Sequence, residues 1–124
     1  MNKIPFKYFW LSIIILLTLL FMPVDGKAPG PSIDKLAHAL LFLGVTLNAC
    51  FYFLENKKHL IPVSLLIFML PFATEYIQSH IPGRAFDTKD IIADFVGILL
   101  AIPIYQIFKK QIFKIFELLG ETSK

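Results

Sequence analysis

The chain has 124 residues, of which 56% are hydrophobic and 17% are charged, and its formal net charge is +3. This composition leaves too little polar surface to cover a water-soluble globule, so it predicts an integral membrane protein. The basic residues lie at the ends of apolar segments rather than along one polar face with interleaved aromatic rings, which argues against a nucleic-acid partner. Cys50 is the single cysteine, so an intrachain disulfide is excluded.

Four apolar segments, each close to the roughly 20 residues that cross a hydrocarbon core, predict four transmembrane helices. They cover residues 8–24, 36–54, 60–79 and 91–108 of a single domain spanning residues 1–124. The short polar turn at residues 55–59 requires the helices on either side of it to run antiparallel, and we expect an all-α antiparallel bundle. Residues 109–124 follow as a cytoplasmic tail, either an interfacial helix or a frayed continuation of the fourth helix.

The first segment is interpreted as a retained helix, and the alternative is a signal peptide with Gly26 and Ala28 near a weak cleavage site. Eight lysines flank one side of the predicted bundle and four basic residues flank the other. The first group is Lys3, Lys7, Lys57, Lys58, Lys109, Lys110, Lys114 and Lys124, and the second is Lys27, Lys35, Arg84 and Lys89. The positive-inside rule then places both termini in the cytoplasm of a multi-pass protein in the cytoplasmic membrane.

Ionisable residues gather at the predicted outer ends of the last three segments. Asp34 and His38 are four residues apart and share one helix face, and Glu75 and Gln78 are three apart on the next helix. A stripe on the fourth helix consists of Asp87, Asp90, Asp94, Gly97 and Ala101. Charges near lipid cost on the order of 2.5–3.5 kcal/mol each, so we expect these faces to share one polar pocket. Its predicted binding residues are Asp34, Lys35, His38, Glu75, Gln78, Arg84, Asp87, Asp90 and Asp94.

Several of these residues also have simpler structural interpretations. Arg84 could pair with Asp87 or Asp90 at the headgroup level, and Lys35 could extend its amine to the membrane surface. Asp90 could cap the fourth helix. Glu75, His38 and Asp94 lie a turn or more inside their apolar segments, where a charged group is tolerated only if it has interaction partners. These three residues could belong to a functional site, or they could form a buried network with a purely structural role.

The motifs Asp34-Lys35-x-x-His38, Glu75-x-x-Gln78 and Gly83-Arg84-x-x-Asp87-x-x-Asp90-x-x-x-Asp94 resemble, in order and spacing, the pattern of the VanZ-like family. The resemblance covers about residues 30–105. It implies a small integral membrane protein linked to the cell envelope and, for the founding members, to low-level teicoplanin resistance. Asp94 stands where the family usually has Asn, and Ala101 where a second Gly is usual.

The first functional hypothesis is an outward-facing pocket that binds a lipid-linked or anionic envelope component beside membrane lipid. Arg84, helped by Lys35, would contact the anion, because a guanidinium matches phosphate or carboxylate with two hydrogen bonds. The sequence requires no cofactor for this role.

Two other functions are compatible with the sequence. An intramembrane enzyme would use Glu75 or Asp90 as general base and His38 as proton shuttle, although no nucleophile is evident. In a metal-assisted version, the ligands would come from His38, Glu75, Asp90 and Asp94, but no established metal-binding spacing supports it. A structural protein would instead form a homo- or hetero-oligomer through the Gly97 and Ala101 face.

Overall fold

The computed structural model describes residues 7–21, 31–54, 57–81 and 86–120. These residues form four α-helices and no strand. The helices are α1 (Lys7–Phe21), α2 (Pro31–Phe53), α3 (Leu60–Gln78) and α4 (Thr88–Leu118), with a short 3-10 turn at Lys57–His59 before α3. The predicted all-α fold with four helices is thereby confirmed.

Three of the helices, α2, α3 and α4, are long and apolar enough to cross a membrane. Helix α1 is apolar and has 15 described residues, and the predicted end of its segment at residue 24 lies outside the described residues. Large apolar side chains such as Ile61, Leu65 and Leu99 are exposed on the outer faces of α3 and α4. Helices that are apolar on all sides suit a hydrocarbon environment, where each helix satisfies its own backbone hydrogen bonds.

Helix α4 is longer than the predicted fourth segment. It has 31 residues and continues without a break to Leu118, which corresponds to a length of about 46 Å. Residues 109–118 therefore extend α4, and their location at the membrane interface stays a prediction.

Helices α2 and α4 make the closest contact between helices, at Gly97 of α4. A Cβ atom at this position would overlap the carbonyl oxygen of Ala39 and would lie 3.0 Å from the backbone nitrogen of Leu43. Ala101, one turn further along α4, is completely buried. The small residues thus allow two backbones to approach within the chain. An oligomer through this same face stays a prediction, and in the single chain the face is occupied by α2.

Helix α1 packs on α2 through one apolar face. The buried residues of this face recur every three or four positions, at Phe9, Ile13, Leu16 and Leu20, and they form a core cluster with Phe42, Val45, Ala49 and Phe53 of α2. The rings of Phe9 and Phe53 are 5.4 Å apart in an edge-to-face arrangement. The start of α1 therefore lies beside the end of α2.

Helix α3 packs unevenly along its length. Phe68 and Phe72 contact Phe95 of α4, with ring centroids 5.4 and 5.7 Å apart. An apolar cavity of about 600 Å³ lies among α2, α3 and α4 near the start of α3, where Leu60, Val63 and Ile67 also pack on the core cluster of α1 and α2. Cys50 borders this cavity and is buried, as expected for a cysteine acting as a small apolar residue.

Candidate functional site

Polar side chains from three helices meet at one end of the molecule, which we call the polar end. It consists of Asp34, Lys35 and His38 of α2, Glu75 and Gln78 of α3, Asp87 before α4, and Asp90 and Asp94 of α4. Five of these side chains are buried, namely His38, Glu75, Gln78, Asp90 and Asp94. The structure thus brings together eight of the nine predicted binding residues, and Arg84 lies outside the described residues.

The centre of the polar end is a hydrogen bond between His38 and Asp94. The Nδ1 atom of His38 donates to Oδ1 of Asp94 over 2.8 Å, and both residues are 0% exposed. Because a carboxylate only accepts, this bond places a hydrogen on Nδ1 and leaves Nε2 with a free lone pair in the neutral imidazole. Gly97, three residues after Asp94, brings α4 close enough to α2 for the bond to form.

The other ring nitrogen of His38 faces two carboxylates across a gap. Its Nε2 atom lies 3.9 Å from Oδ2 of Asp34 and 3.8 Å from Oδ2 of Asp90. These distances exceed the hydrogen-bond range, and Nε2 is a buried atom with no hydrogen-bond partner among the described residues. Asp34, His38 and Asp90 are the described residues whose ligand atoms lie close enough together, within 4.8 Å, to hold one metal ion.

Lys35 neutralises part of the acidic charge. Its ammonium group lies 3.2 Å from Oδ2 of Asp87 and 3.3 Å from Oδ1 of Asp90. Because the amine is paired with two carboxylates, it is not an open anion contact in this structure. The alternative in which Lys35 extends its amine to the membrane surface stays a prediction, because its partner Asp87 is itself partly exposed.

The N-cap of α4 is Asp87, whose Oδ1 accepts a hydrogen bond of 2.9 Å from the backbone nitrogen of Lys89. That bond, together with the hydrogen bond from Lys35, lowers the pKa of Asp87 below its ordinary value. The interpretation of Asp90 as the cap is therefore wrong. Asp90 lies in the first turn of the helix, where its two oxygens face Lys35 and His38 instead.

Glu75 and Gln78 connect the end of α3 to two neighbouring helices. Oε1 of Glu75 accepts a 2.9 Å hydrogen bond from the backbone nitrogen of Asp87, whereas its Oε2 is buried and has no hydrogen-bond partner in residues 7–21, 31–54, 57–81 and 86–120. Nε2 of Gln78 donates to the carbonyl oxygen of Leu20 over 2.8 Å. Carbonyls in the last turn of a helix have no partner within the helix, so Gln78 satisfies one of them for α1.

Replacing Gln78 with Leu should lower the free energy of unfolding by about 1 kcal/mol. The substitution removes an interhelical hydrogen bond and leaves the buried carbonyl oxygen of Leu20 without this donor. Denaturant titration of the purified protein, followed by helical circular dichroism, would measure the change. The same substitution at exposed Gln106 of α4 is the matched control and should change stability by less than half as much. Equal effects at the two positions would contradict the role of Gln78.

A groove of about 390 Å³ on the α1–α2 side leads to the polar end. Its lining is mostly aliphatic and includes two ionisable side chains of the polar end. The aliphatic residues are Leu19, Leu20, Ile33, Ala37, Leu40 and Leu41, and the ionisable residues are Asp34 and His38. Sequence reasoning did not find this groove, because the α1 residues that border it carry no polar signal. Only the packing of α1 against α2 defines it.

The chain matches the family model described as VanZ/LLP1 over residues 1–109, which confirms the resemblance drawn from the motifs. It is also 24% identical over 107 residues to an uncharacterized protein of Schizosaccharomyces pombe, covering 85% of this chain and 66% of that protein. The chain thus spans just under two thirds of this relative's length. No solved structure matches the chain.

Proposed function

This chain belongs to the VanZ/LLP1 family, and from that premise we propose that it is a cytoplasmic-membrane protein that binds a lipid-linked component of the cell envelope. The lipid chain lies in the groove between α1 and α2, and the polar headgroup lies at the polar end. Binding, rather than chemical conversion, is the activity that the arrangement of residues favours.

The single observation that carries this proposal is the mostly aliphatic groove whose lining includes Asp34 and His38. Ligand sites combine apolar walls, which supply binding free energy, with a few polar groups, which fix orientation. A lipid has the same division between chain and headgroup. Buried ionisable groups are also expensive in a membrane, so their retention in the lining of an apolar groove indicates a function.

We further propose that the helices form an antiparallel bundle with both termini in the cytoplasm and the polar end at the outer surface. Two ring contacts support the arrangement of the helices, because Tyr8 of α1 lies 5.4 Å from Phe116 of α4 and Phe9 lies 5.4 Å from Phe53 of α2. The start of α1 is thus beside the ends of α2 and α4. The excess of lysines on the opposite side from the polar end supports the orientation.

The headgroup must be compatible with an acidic surrounding. Carboxyl groups of five residues, namely Asp34, Glu75, Asp87, Asp90 and Asp94, gather around Lys35 and His38. An anionic headgroup would be repelled by them unless a further positive group contacts it. Arg84 is the proposed contact from the sequence, and a contribution to teicoplanin tolerance is the proposed consequence of binding an envelope component.

The groove can be tested by filling it. Ala37 is exposed and borders the groove, so Ala37→Trp should remove lipid that co-purifies with the protein, as measured by native mass spectrometry. Ala73 is an exposed alanine of α3 outside the groove, and Ala73→Trp should retain the wild-type amount of lipid. Equal retention by the two variants, or no lipid on the wild-type protein, would refute binding in the groove.

An acid–base enzyme is the second candidate, and the His38–Asp94 hydrogen bond favours it because a carboxylate commonly orients a catalytic imidazole. Cys50 and Ser79 are two candidate nucleophiles among the described residues, and neither is hydrogen-bonded to His38. Cys50 borders the cavity between α2, α3 and α4, and the hydroxyl of Ser79 donates to the carbonyl oxygen of Tyr76. Binding is therefore the better supported function.

A further inference from the structure

The gap between His38, Asp34 and Asp90 has the composition of a metal site. One imidazole nitrogen and two carboxylate oxygens from α2 and α4 face one another, with Nε2 of His38 at 3.9 and 3.8 Å from the two oxygens. Asp34 and His38 share a face of α2 because they are four residues apart. The contact between α2 and α4 then adds Asp90 from the neighbouring helix.

The Nε2 atom of His38 supplies an independent indication of a ligand. His38 is 0% exposed, and within the part of the chain that the structure describes Nε2 has no hydrogen-bond partner. Buried polar atoms nearly always have a partner, because an unsatisfied one costs about 1–3 kcal/mol. A protonated Nε2 would need an acceptor within about 3.2 Å, and the carboxylate oxygens of Asp34 and Asp90 are too far away. A cation between the three groups would satisfy the lone pair.

Asp94 holds His38 in the form that a metal ion requires. Its Oδ1 accepts the hydrogen of Nδ1 over 2.8 Å, so the lone pair is on Nε2, the atom that faces the gap. Histidines that bind metals usually donate their other nitrogen to a carboxylate or carbonyl in this way. Lys35 orients Asp90 in a comparable way. Its ammonium group pairs with Oδ1 of Asp90, and Oδ2 of Asp90 faces His38.

Binding one ion requires the three ligand atoms, which now lie within 4.8 Å of one another, to move closer together. Ligand atoms bound to one tetrahedral ion at 2.0–2.1 Å lie about 3.4 Å apart, compared with the 3.8 and 3.9 Å present between Nε2 and the two oxygens. Two carboxylates facing each other also repel, and a divalent cation removes that repulsion. One nitrogen and two oxygens are a ligand set suited to Zn²⁺ and related divalent ions, with a coordination position left open.

We propose that Asp34, His38 and Asp90 bind one divalent transition-metal ion of the Zn²⁺ class, with Asp94 as the positioning residue for His38. Asp34 and His38 also line the groove, so the ion would lie where the groove borders the polar end. If the proposed lipid binding holds, on which this step rests, the open position accepts an oxygen of an anionic headgroup. The ion then resolves the conflict between an acidic site and an anionic ligand.

The test is metal binding by the full-length protein, purified with a histidine-free tag and stripped with a chelator. Titration with ZnCl₂ and elemental analysis should find one ion per chain, and Co²⁺ should give the visible absorption of a nitrogen- and oxygen-ligated site. His38→Ala should weaken binding more than about 100-fold, and Asp94→Asn about 10-fold, as for partners of metal-bound histidines. His80→Ala is the control, because His80 is exposed and contacts Tyr76 in its own turn.

Asp34→Asn is the second variant in case His38→Ala does not fold, and it should also weaken Zn²⁺ binding. Less than one tenth of an ion per chain at saturating ZnCl₂, or unchanged binding in both variants, would overturn the metal site. Lipid retention with and without chelator separates the two proposals. If lipid is retained but no metal is bound, the metal site is overturned and the proposed lipid binding stands. If metal is bound but no lipid is retained, the proposed lipid binding is overturned and the metal site stands.

Discussion

Gly97→Ala should destabilise the protein by about 1–3 kcal/mol, the cost of adding a methyl group to a packed interior. The new Cβ would overlap the carbonyl oxygen of Ala39, and a backbone atom cannot move aside as the end of a flexible side chain can. Helices α2 and α4 must therefore separate. Asp94 is one turn away, so the separation would also lengthen the hydrogen bond from His38 and weaken Zn²⁺ binding.

Gly44→Ala is the matched control for this prediction. A Cβ at Gly44, in the middle of α2, meets no atom within 4 Å. Alanine also favours a helix over glycine by about 1 kcal/mol, so this variant should be as stable as the wild-type protein or more stable. Denaturant titration in mixed micelles would compare the two variants. A Gly97→Ala variant that matches Gly44→Ala would show that the backbones do not touch.

Removing one member of the His38–Asp94 pair should be nearly as damaging as removing both. His38→Leu or Asp94→Ala alone is expected to cost about 3 kcal/mol of unfolding free energy, because each leaves a buried polar group without its partner. The loss of unfolding free energy in the double variant should be at least about 2 kcal/mol smaller than the sum of the losses in the two single variants. The same denaturant titration measures all three variants.

The control cycle pairs Asp94→Ala with His80→Ala. His80 is exposed and its ring contacts lie within its own turn, so the two effects should add within about 0.5 kcal/mol. Additivity in the His38 cycle as well would mean that the hydrogen bond contributes nothing, and it would remove the basis for treating Asp94 as a positioning residue.

The sequence predicted the composition of the polar end because intervals along a helix determine which residues share a face. Asp34 with His38, and Asp90 with Asp94, follow directly from that rule. The rule does not say which face meets which neighbouring helix. The bond from Gln78 to the Leu20 carbonyl and the ion pairs of Lys35 depend on how the helices pack.

The fold was predictable to a similar extent. Apolar segments long enough to cross a bilayer indicated α2, α3 and α4, since a helix satisfies its own backbone hydrogen bonds in lipid. The bounds of α3 agree within one residue, whereas α2 begins at Pro31 rather than at residue 36 and α4 ends at Leu118 rather than at residue 108. The end of α4 at Leu118 was not determined, because Lys109, Lys110 and Lys114 are compatible with both helix and interface. Turn residues rather than hydropathy decide such ends, and residues 109–118 contain no proline or glycine.

The hydrogen bonds of Glu75 and Gln78 hold one end of α3 more firmly than the other. At its C-terminal end, α3 is hydrogen-bonded through Glu75 to the backbone of Asp87, which caps α4, and through Gln78 to the last turn of α1. Toward its other extremity α3 borders the 600 Å³ cavity instead. We therefore expect α3 to move least at Glu75 and Gln78, so that the ionisable groups keep their geometry, and we expect any adaptation to the surrounding lipids in the half that borders the cavity.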